Sequence, residues 1–562
     1  MVAAALLPFP GGLGLPLLND DRMAVIQNPN VQGDIDVSRI FSTNSWGSVE
    51  YYRHTPNYRP LSVLTLAATR AAFGLDPVPY KAANLALHAM ASLLLLALLR
   101  RLGVRPLAST AGAVAFAVHP VHSEALLFAV NREEVLVAAW LLAILLLVVR
   151  RSGLVAAQAR RPWGAASLAG LGVLLALALL SKESGATAVV LVPLVLLAWP
   201  GRQPRWRAAA APTAVVAFVF GAYLVLRGFA LGRMVASFIP YQDNPLVLAD
   251  LPGRLSGALS LVAHAAGLLL APLDLSVDYS WNVLGLPSQG FPSSAWIGLA
   301  VIALAAVAFA RAYRILPSVA LGLLVLAVTY GFVSNVAFLN SIVFGERLLY
   351  LPSLGAAMAL AGGLDAAFGA AAPSPARRIA VLCLATLMAA WLAFLAARSV
   401  LRVDDHRSAL ALYASSLAQR PGSSRLMVNL GVEMKKAGRR AEAEALFRQA
   451  LATDPEDPEA HLDLGLMVAD AGHPAEAARL FLRAIDLRPG FPQALAAMCL
   501  LLDSRGDDEN ALDWCQRAAR RGADVAKALR RLEFEGRCAA RWDAVEYPAS
   551  EPRPPRALEE EP

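Results

Sequence analysis

Two adjacent acids, Asp20 and Asp21, close the apolar run LPLLNDD at residues 15–21. A carboxylate placed where a membrane-entering segment ends can take a proton from a hydroxyl as a general base, bind a cation, or cap the loop that follows. In NYRPLSVLTL, Arg59 precedes an amphipathic run, so its guanidinium would lie at headgroup level, either gripping a lipid phosphate or anchoring the interface. Asn84 and His88 are four residues apart and share one helix face, as glue between helices or as the lining of a site. The densest stretch, HPVHSEALLFAVNREEVL, carries His119, His122 and Glu124, then Asn131, Arg132, Glu133 and Glu134. Its His-x-x-His before Glu is not the spacing of a helical zinc protease, and Pro120 breaks the local helix. No metal is demanded, although the donor types allow a divalent ion. SKES, with Lys182 and Glu183, and GERLLYLPS, with Glu346 and Arg347, set a cation beside an acid. Each is either a neutralising pair or a partner for an anionic lipid phosphate.

The elements that must position these groups are membrane helices. The 562 residues are 57% hydrophobic and 17% charged, with a mean hydropathy of +0.51, too apolar for an ordinary soluble enzyme. The net charge of +7 comes largely with arginine clusters between hydrophobic runs, which read as topology signals and not as a nucleic-acid face. Apolar runs of near-spanning length recur from Tyr80 to Ala397. The clusters at Arg100–Arg105, Arg150–Arg161, Arg202–Arg207, Arg311–Arg314 and Arg377–Arg378 assign their loops to the cytoplasm. The loops at 19–79, 119–124, 181–185 and 340–347, and everything after Leu401, then lie on the far side. Leu255 to Leu270 would upset that parity and is read as re-entrant or interfacial, which leaves about eleven crossings, an inside N-terminus and an outside C-terminus. The first run, Ala3 to Leu18, is broken by Pro8, Pro10, Gly11, Gly12, Gly14 and Pro16 and is shorter than the ~20 residues a bilayer needs, which suggests a missing N-terminal portion.

Past the last span the sequence repeats. Gly431 recurs as Gly465, Phe447 as Phe481, Ala443 as Ala477 and Ala511, Ala450 as Ala484 and Ala518, and Pro421 as Pro455 and Pro489. This is the 34-residue tetratricopeptide period, in which small residues let two antiparallel helices touch. In the third unit Cys499 takes the Gly position and Cys515 the Phe position, while Asp404 to Gln419 fits half of a preceding unit. A disulfide among Cys499, Cys515 and Cys538 would require that end to lie outside the cytoplasm, whereas Cys383 sits within an apolar run as a packing residue. The divisions are a membrane domain at 1–402 with an acidic first loop at 19–79, repeats at 403–540, and a disordered Pro- and Glu-rich tail at 541–562.

In order along the chain, NDD, YRPL, NLALH, HPVHSEAL, NREEVL, SKESG, PLDLSVDYSW and ERLLYLPSLG, followed by the repeats, resemble the transmembrane and tetratricopeptide repeat-containing O-mannosyltransferases and their bacterial relatives. That family is similar to the C-type glycosyltransferase superfamily. The resemblance implies an all-α polytopic bundle and transfer of a sugar, mannose on the family's pattern, from a polyprenyl-phosphate carrier on the non-cytoplasmic side. The acceptor would be a hydroxyl, such as a protein Ser or Thr, and the membrane a bacterial inner membrane. Asp20 or Asp21 would be the base, with inversion in one displacement. Arg59, Arg132, Lys182 and Arg347 would contact phosphate, and His119, His122 and Glu124, with Asn84, His88 and Glu346, would shape the pocket. The repeats would hold a peptide or protein partner. A transporter or flippase of lipid-linked precursors, or an assembly scaffold, is the competing class. Against transport, the ionisable groups gather at one face and no inverted repeat is visible.

Overall fold

A computed structural model describes residues 1–47, 56–152, 162–198, 206–232, 239–281, 283–285, 290–369 and 375–534. Among the described residues all regular structure is helical. The tail at 541–562, Cys538, and Arg160, Arg161, Arg202 and Arg205 of the basic clusters lie outside them. The chain forms two compact units, 1–419 and 420–562.

Numbering helices of nine residues or more, the first unit contains α1 (Pro60–Phe73), α2 (Pro77–Arg101), α3 (Pro106–Ala117), α4 (Arg132–Ser152), α5 (Ala165–Ser181), α6 (Thr187–Ala198), α7 (Trp206–Leu231), α8 (Leu251–Leu270), α9 (Ser293–Ala312), α10 (Pro317–Val333), α11 (Tyr350–Gly369), α12 (Pro375–Asp405) and α13 (Ala409–Gln419). Among the described residues seven helices are long and apolar enough to cross a membrane: α2, α4, α7, α8, α9, α11 with the turn before it, and α12. Several shorter apolar helices stand among them. The segment read from sequence as re-entrant or interfacial is thus one continuous 20-residue helix, α8, capped by the Asp250 side chain on the Gly253 N–H at 2.8 Å. The N-terminal run is helical only over Val2–Leu6 and then turns at Pro10–Gly12, because its Pro residues remove the amide donors a longer helix needs.

Proline at the first turn starts α1, α2, α3 and α10, where its missing N–H costs nothing. The centre of the unit is α4, apolar around its circumference and buried at Val135, Val137, Leu141, Leu142, Leu145 and Val148. It packs on α2 and α5; α3 and α10 pack on α11, and α8 on α9. Gly322 and Gly355 let α10 and α11 approach so closely that a Cβ on either would meet the partner's backbone, the small-residue packing typical of membrane helices. In contrast, α12 buries only Leu395, Ser399, Arg402 and Val403 near its C-terminal end. Cys383, expected to pack, is therefore exposed on its flank.

The described residues of the second unit form three helix pairs, α14 (Ser424–Lys436) with α15 (Arg440–Thr453), α16 (Pro458–Asp470) with α17 (Pro474–Leu487) and α18 (Pro492–Ser504) with α19 (Asp508–Arg520), followed by α20 (Ala526–Phe534). The loop glycines Gly438, Gly472 and Gly506 repeat at the same period and all take positive φ, +78°, +86° and +72°, where a side chain would be strained. A Cβ on Gly431 would lie 2.6 Å from the Phe447 ring, and one on Gly465 lies equally close to Phe481. The buried Phe therefore fills the gap that Gly leaves. In the third pair the same two positions hold a disulfide, Cys499–Cys515, both sulfurs buried. Covalent linkage replaces the Gly–Phe contact at an unchanged spacing of 16 residues.

Candidate functional site

Asn19 takes φ +51°, a left-handed conformation that Asn tolerates, and this turns the chain into the short helical stretch that begins at Asp20. The two acids then diverge. Asp20 is partly exposed, and its charge acts on Arg347. Asp21 is fully buried, and its Oδ1 accepts from the Val130 N–H at 2.9 Å. Burial pushes its pKa up to about 7, opposed by the Val130 and Ala129 amides and the nearby Lys81 charge.

Arg347 is fastened to Glu124 twice: its backbone N–H donates to Oε2 at 3.0 Å and its Nη1 to Oε1. About a fifth of the Arg347 side chain is still exposed, at 22%. The Asn131 amide in turn donates to the Glu124 carbonyl at 3.0 Å. Glu124 and Arg347, far apart in sequence, thus form one ion pair, and its cation also feels the charge of Asp20.

A second cluster lies beyond it. Arg59 pairs with Glu133 at 2.6 Å and Glu183 at 2.8 Å, Lys182 with Glu133 at 2.7 Å and Glu134 at 2.6 Å, and Arg227 with Glu183 at 3.1 Å. Three cations meet three carboxylates, so the group is neutral as a whole. Arg227 also donates to the Pro56 carbonyl at 2.6 Å, which ties α7 to the chain ahead of α1.

Arg132 points elsewhere. Its guanidinium, 2% exposed, donates to Asn84 Oδ1 at 2.9 Å and, at 3.0 Å each, to the Thr65 carbonyl, the Thr69 hydroxyl and the Tyr80 carbonyl. Asn84 donates onward to the Phe128 carbonyl at 2.9 Å. His88 bonds the Tyr350 hydroxyl at 2.6 Å and the Ala117 carbonyl at 3.0 Å, and His122 bonds Ser353 Oγ at 2.9 Å. Their rings, with Phe116 and Tyr350, form a packed aromatic group. His119 reaches the Leu269 carbonyl at 3.0 Å, and burial lowers its pKa to about 4, so it is neutral near pH 7.

Glu346 is fully buried. It accepts from the Ser276 N–H and from the Tyr279 hydroxyl at 2.9 Å, and it faces Arg402 at 3.7 Å. The PLDLSVDYSW loop is thereby folded over the start of α11. Arg402, Arg227, Lys81 and His406 carry buried polar contacts here that the motif reading passed over. The available signal was a charged residue at the edge of an apolar run, as with Lys81 one turn inside α2.

These features define a multi-pass helical membrane protein with a tetratricopeptide unit at its C-terminal side. The tetratricopeptide repeat family model matches residues 435–492 and 469–526. The chain is 27% identical over 478 residues to protein O-mannosyl-transferase TMTC4 of Homo sapiens, covering 75% of this chain and 62% of that protein. It is 25% identical over 455 residues to protein O-mannosyl-transferase F38B6.6 of Caenorhabditis elegans, covering 79% and 61%. Against protein O-mannosyl-transferase Tmtc3 of Drosophila melanogaster the identity is 28% over 492 residues, covering 76% and 52%. The resemblance carried by the motifs is therefore one of sequence along three quarters of the chain, and the chain spans roughly half to three-fifths of the length of the curated relatives it matches.

Proposed function

We propose that the chain is a membrane glycosyltransferase that moves a sugar, with mannose the first candidate, from a polyprenyl-phosphate carrier to a hydroxyl acceptor on the extracytoplasmic side of a bacterial inner membrane. The observation that carries this reading is Arg347, held by Glu124 with about a fifth of its side chain still exposed and within electrostatic reach of the partly exposed Asp20 carboxylate. The names of the similar proteins support the same class. Asp20 accepts the proton of the attacking hydroxyl while the oxygen of that hydroxyl bonds to the anomeric carbon. The bond from that carbon to the carrier phosphate breaks, and the phosphate keeps the electron pair. Arg347 stabilises the charge that develops on it. A single displacement of this kind inverts the anomeric configuration.

The phosphate role concentrates on Arg347 because 22% of its side chain is exposed despite the Glu124 pair, whereas Arg132 and Lys182 are buried on protein acceptors and Arg59, 16% exposed, divides its donors between Glu133 and Glu183. Arg59 and Lys182 then act at one remove, by fixing the loops around the site. No cofactor is required by this chemistry. The Cys499–Cys515 bond supports an oxidising compartment for the second unit, which as a solenoid of helix pairs would hold a protein or peptide acceptor or partner.

The test is release of radiolabelled sugar from polyprenyl-phosphate mannose by the purified full chain in lipid nanodiscs. Asp20→Asn should lower turnover by about a hundred- to ten-thousand-fold, and Asp21→Asn by less. Unchanged turnover in both variants would overturn the assignment of the base.

A further inference from the structure

Lys81 lies on the second turn of α2, in a helix otherwise suited to crossing a membrane, and is 1% exposed. A buried ammonium must lose its water, and an apolar side chain would fill the same space without that cost. Its contacts show what replaces the water. Nζ donates to the carbonyl of Leu15 and, at 3.1 Å, to that of Pro16. These two carbonyls belong to the irregular segment just ahead of Asn19, Asp20 and Asp21, which has few bonds of its own to fix it. Leu15 N–H reaches the Gly12 carbonyl at 3.3 Å, Asp21 N–H that of Leu18 at 3.0 Å, and Arg22 N–H that of Asn19 at 3.1 Å. Further ties act from outside. The Val130 N–H holds Asp21 from one side, and the Tyr413 hydroxyl reaches Asn19 Oδ1 at 3.5 Å from another.

We propose that Lys81 is a positioning residue for the acidic turn: by pinning the carbonyls of Leu15 and Pro16 to α2, it fixes where the Asp20 carboxylate stands relative to Arg347. The proposal rests on the reading of Asp20 as the base. Lys81 acts through the backbone that carries that carboxylate. Displacement of a reacting group by about an ångström costs up to about a hundredfold in rate while leaving donor binding in place, and that is the effect expected of its loss.

Two measurements on the full chain in nanodiscs decide it. In steady-state transfer from polyprenyl-phosphate mannose, Lys81→Met should lower kcat by about 10- to 100-fold with the donor KM within about twofold of the parent. Lys81→Arg, which keeps charged donors, should recover most of the loss. In an Asp20→Asn background Lys81→Met should have no further effect. Hydrogen–deuterium exchange of the peptide spanning residues 12–22 should accelerate in Lys81→Met while residues 135–148 of α4 keep their protection. If Lys81→Met raises exchange throughout, Lys81→Gln, which keeps the length and one donor, takes its place. Unchanged exchange at 12–22, or unchanged kcat in a folded variant, overturns the proposal. Absence of turnover in the parent chain would instead sink the glycosyltransferase reading, with the exchange measurement still deciding whether Lys81 holds the turn.

Discussion

Asp20 and Asp21 are adjacent in the chain and differ in almost everything else. Asp21 is buried on the Val130 amide and holds its proton to about pH 7, whereas in the unfolded chain an aspartate releases it near 3.8. Between those values the native state binds a proton that the unfolded state does not, so stability falls as pH rises from about 4 to about 7 and levels off above. Asp21→Asn keeps an oxygen for Val130 and removes the titration. Its thermal midpoint should therefore match the parent near pH 4 and exceed it increasingly up to pH 7, as followed by tryptophan fluorescence in nanodiscs. The pair was legible as a feature, because two acids after an apolar run need a reason. Which acid would sink was not, since that depends on an amide some hundred residues away. The same limit applies to NREEVL. Successive helix residues are turned by about 100°, so Arg132 leaves toward α1 and α2 while Glu133 and Glu134 reach Lys182.

At the level of elements, Arg132 is a staple. From the first residue of α4 it binds Thr65 and Thr69 of α1 and Tyr80 and Asn84 of α2. Arg132→Met would remove all four bonds and leave the buried Asn84 Oδ1 without its donor, at a cost of about 1–3 kcal/mol for that oxygen alone, and should lower thermal stability sharply. Arg132→Lys, with fewer donors in a different geometry, should lose part of the stability and leave the donor KM unchanged. A rise in KM without loss of stability would instead indicate a phosphate contact. Periodicity and length made the helices themselves readable, from the apolar runs to the prolines that start them. The short connecting pieces were harder; α8, read as re-entrant or interfacial to keep the parity of the arginine clusters, is an uninterrupted helix of 20 residues. Charge bias reports on orientation, and backbone hydrogen bonding decides where a helix continues.

Across the whole molecule the two units hold together by different physics. The first has apolar side chains on both its inner and outer surfaces, as a body surrounded by hydrocarbon requires. The second is a stack of near-identical pairs whose stability is set between neighbours. Its 34-residue repeat was the most legible feature of the chain because each small position must recur for the helices to touch. What the sequence could not tell was which of three cysteines pair. Proximity settles this: the Cys499–Cys515 bond stands where Gly431 meets Phe447 and Gly465 meets Phe481. Closing a loop of this size is worth about 3 kcal/mol in chain entropy. Reduction with a phosphine should therefore speed amide exchange in α18 and α19 and leave α14 to α17 nearly as before.

The substitution of a covalent bond for an aromatic knob makes maturation of the third pair dependent on an oxidant, although the two pairs before it need none. Changing Cys499→Gly together with Cys515→Phe would rewrite that pair in the dialect of the other two. Such a chain could complete its solenoid in a reducing cytosol, and the single changes, each leaving a hole or a collision, could not.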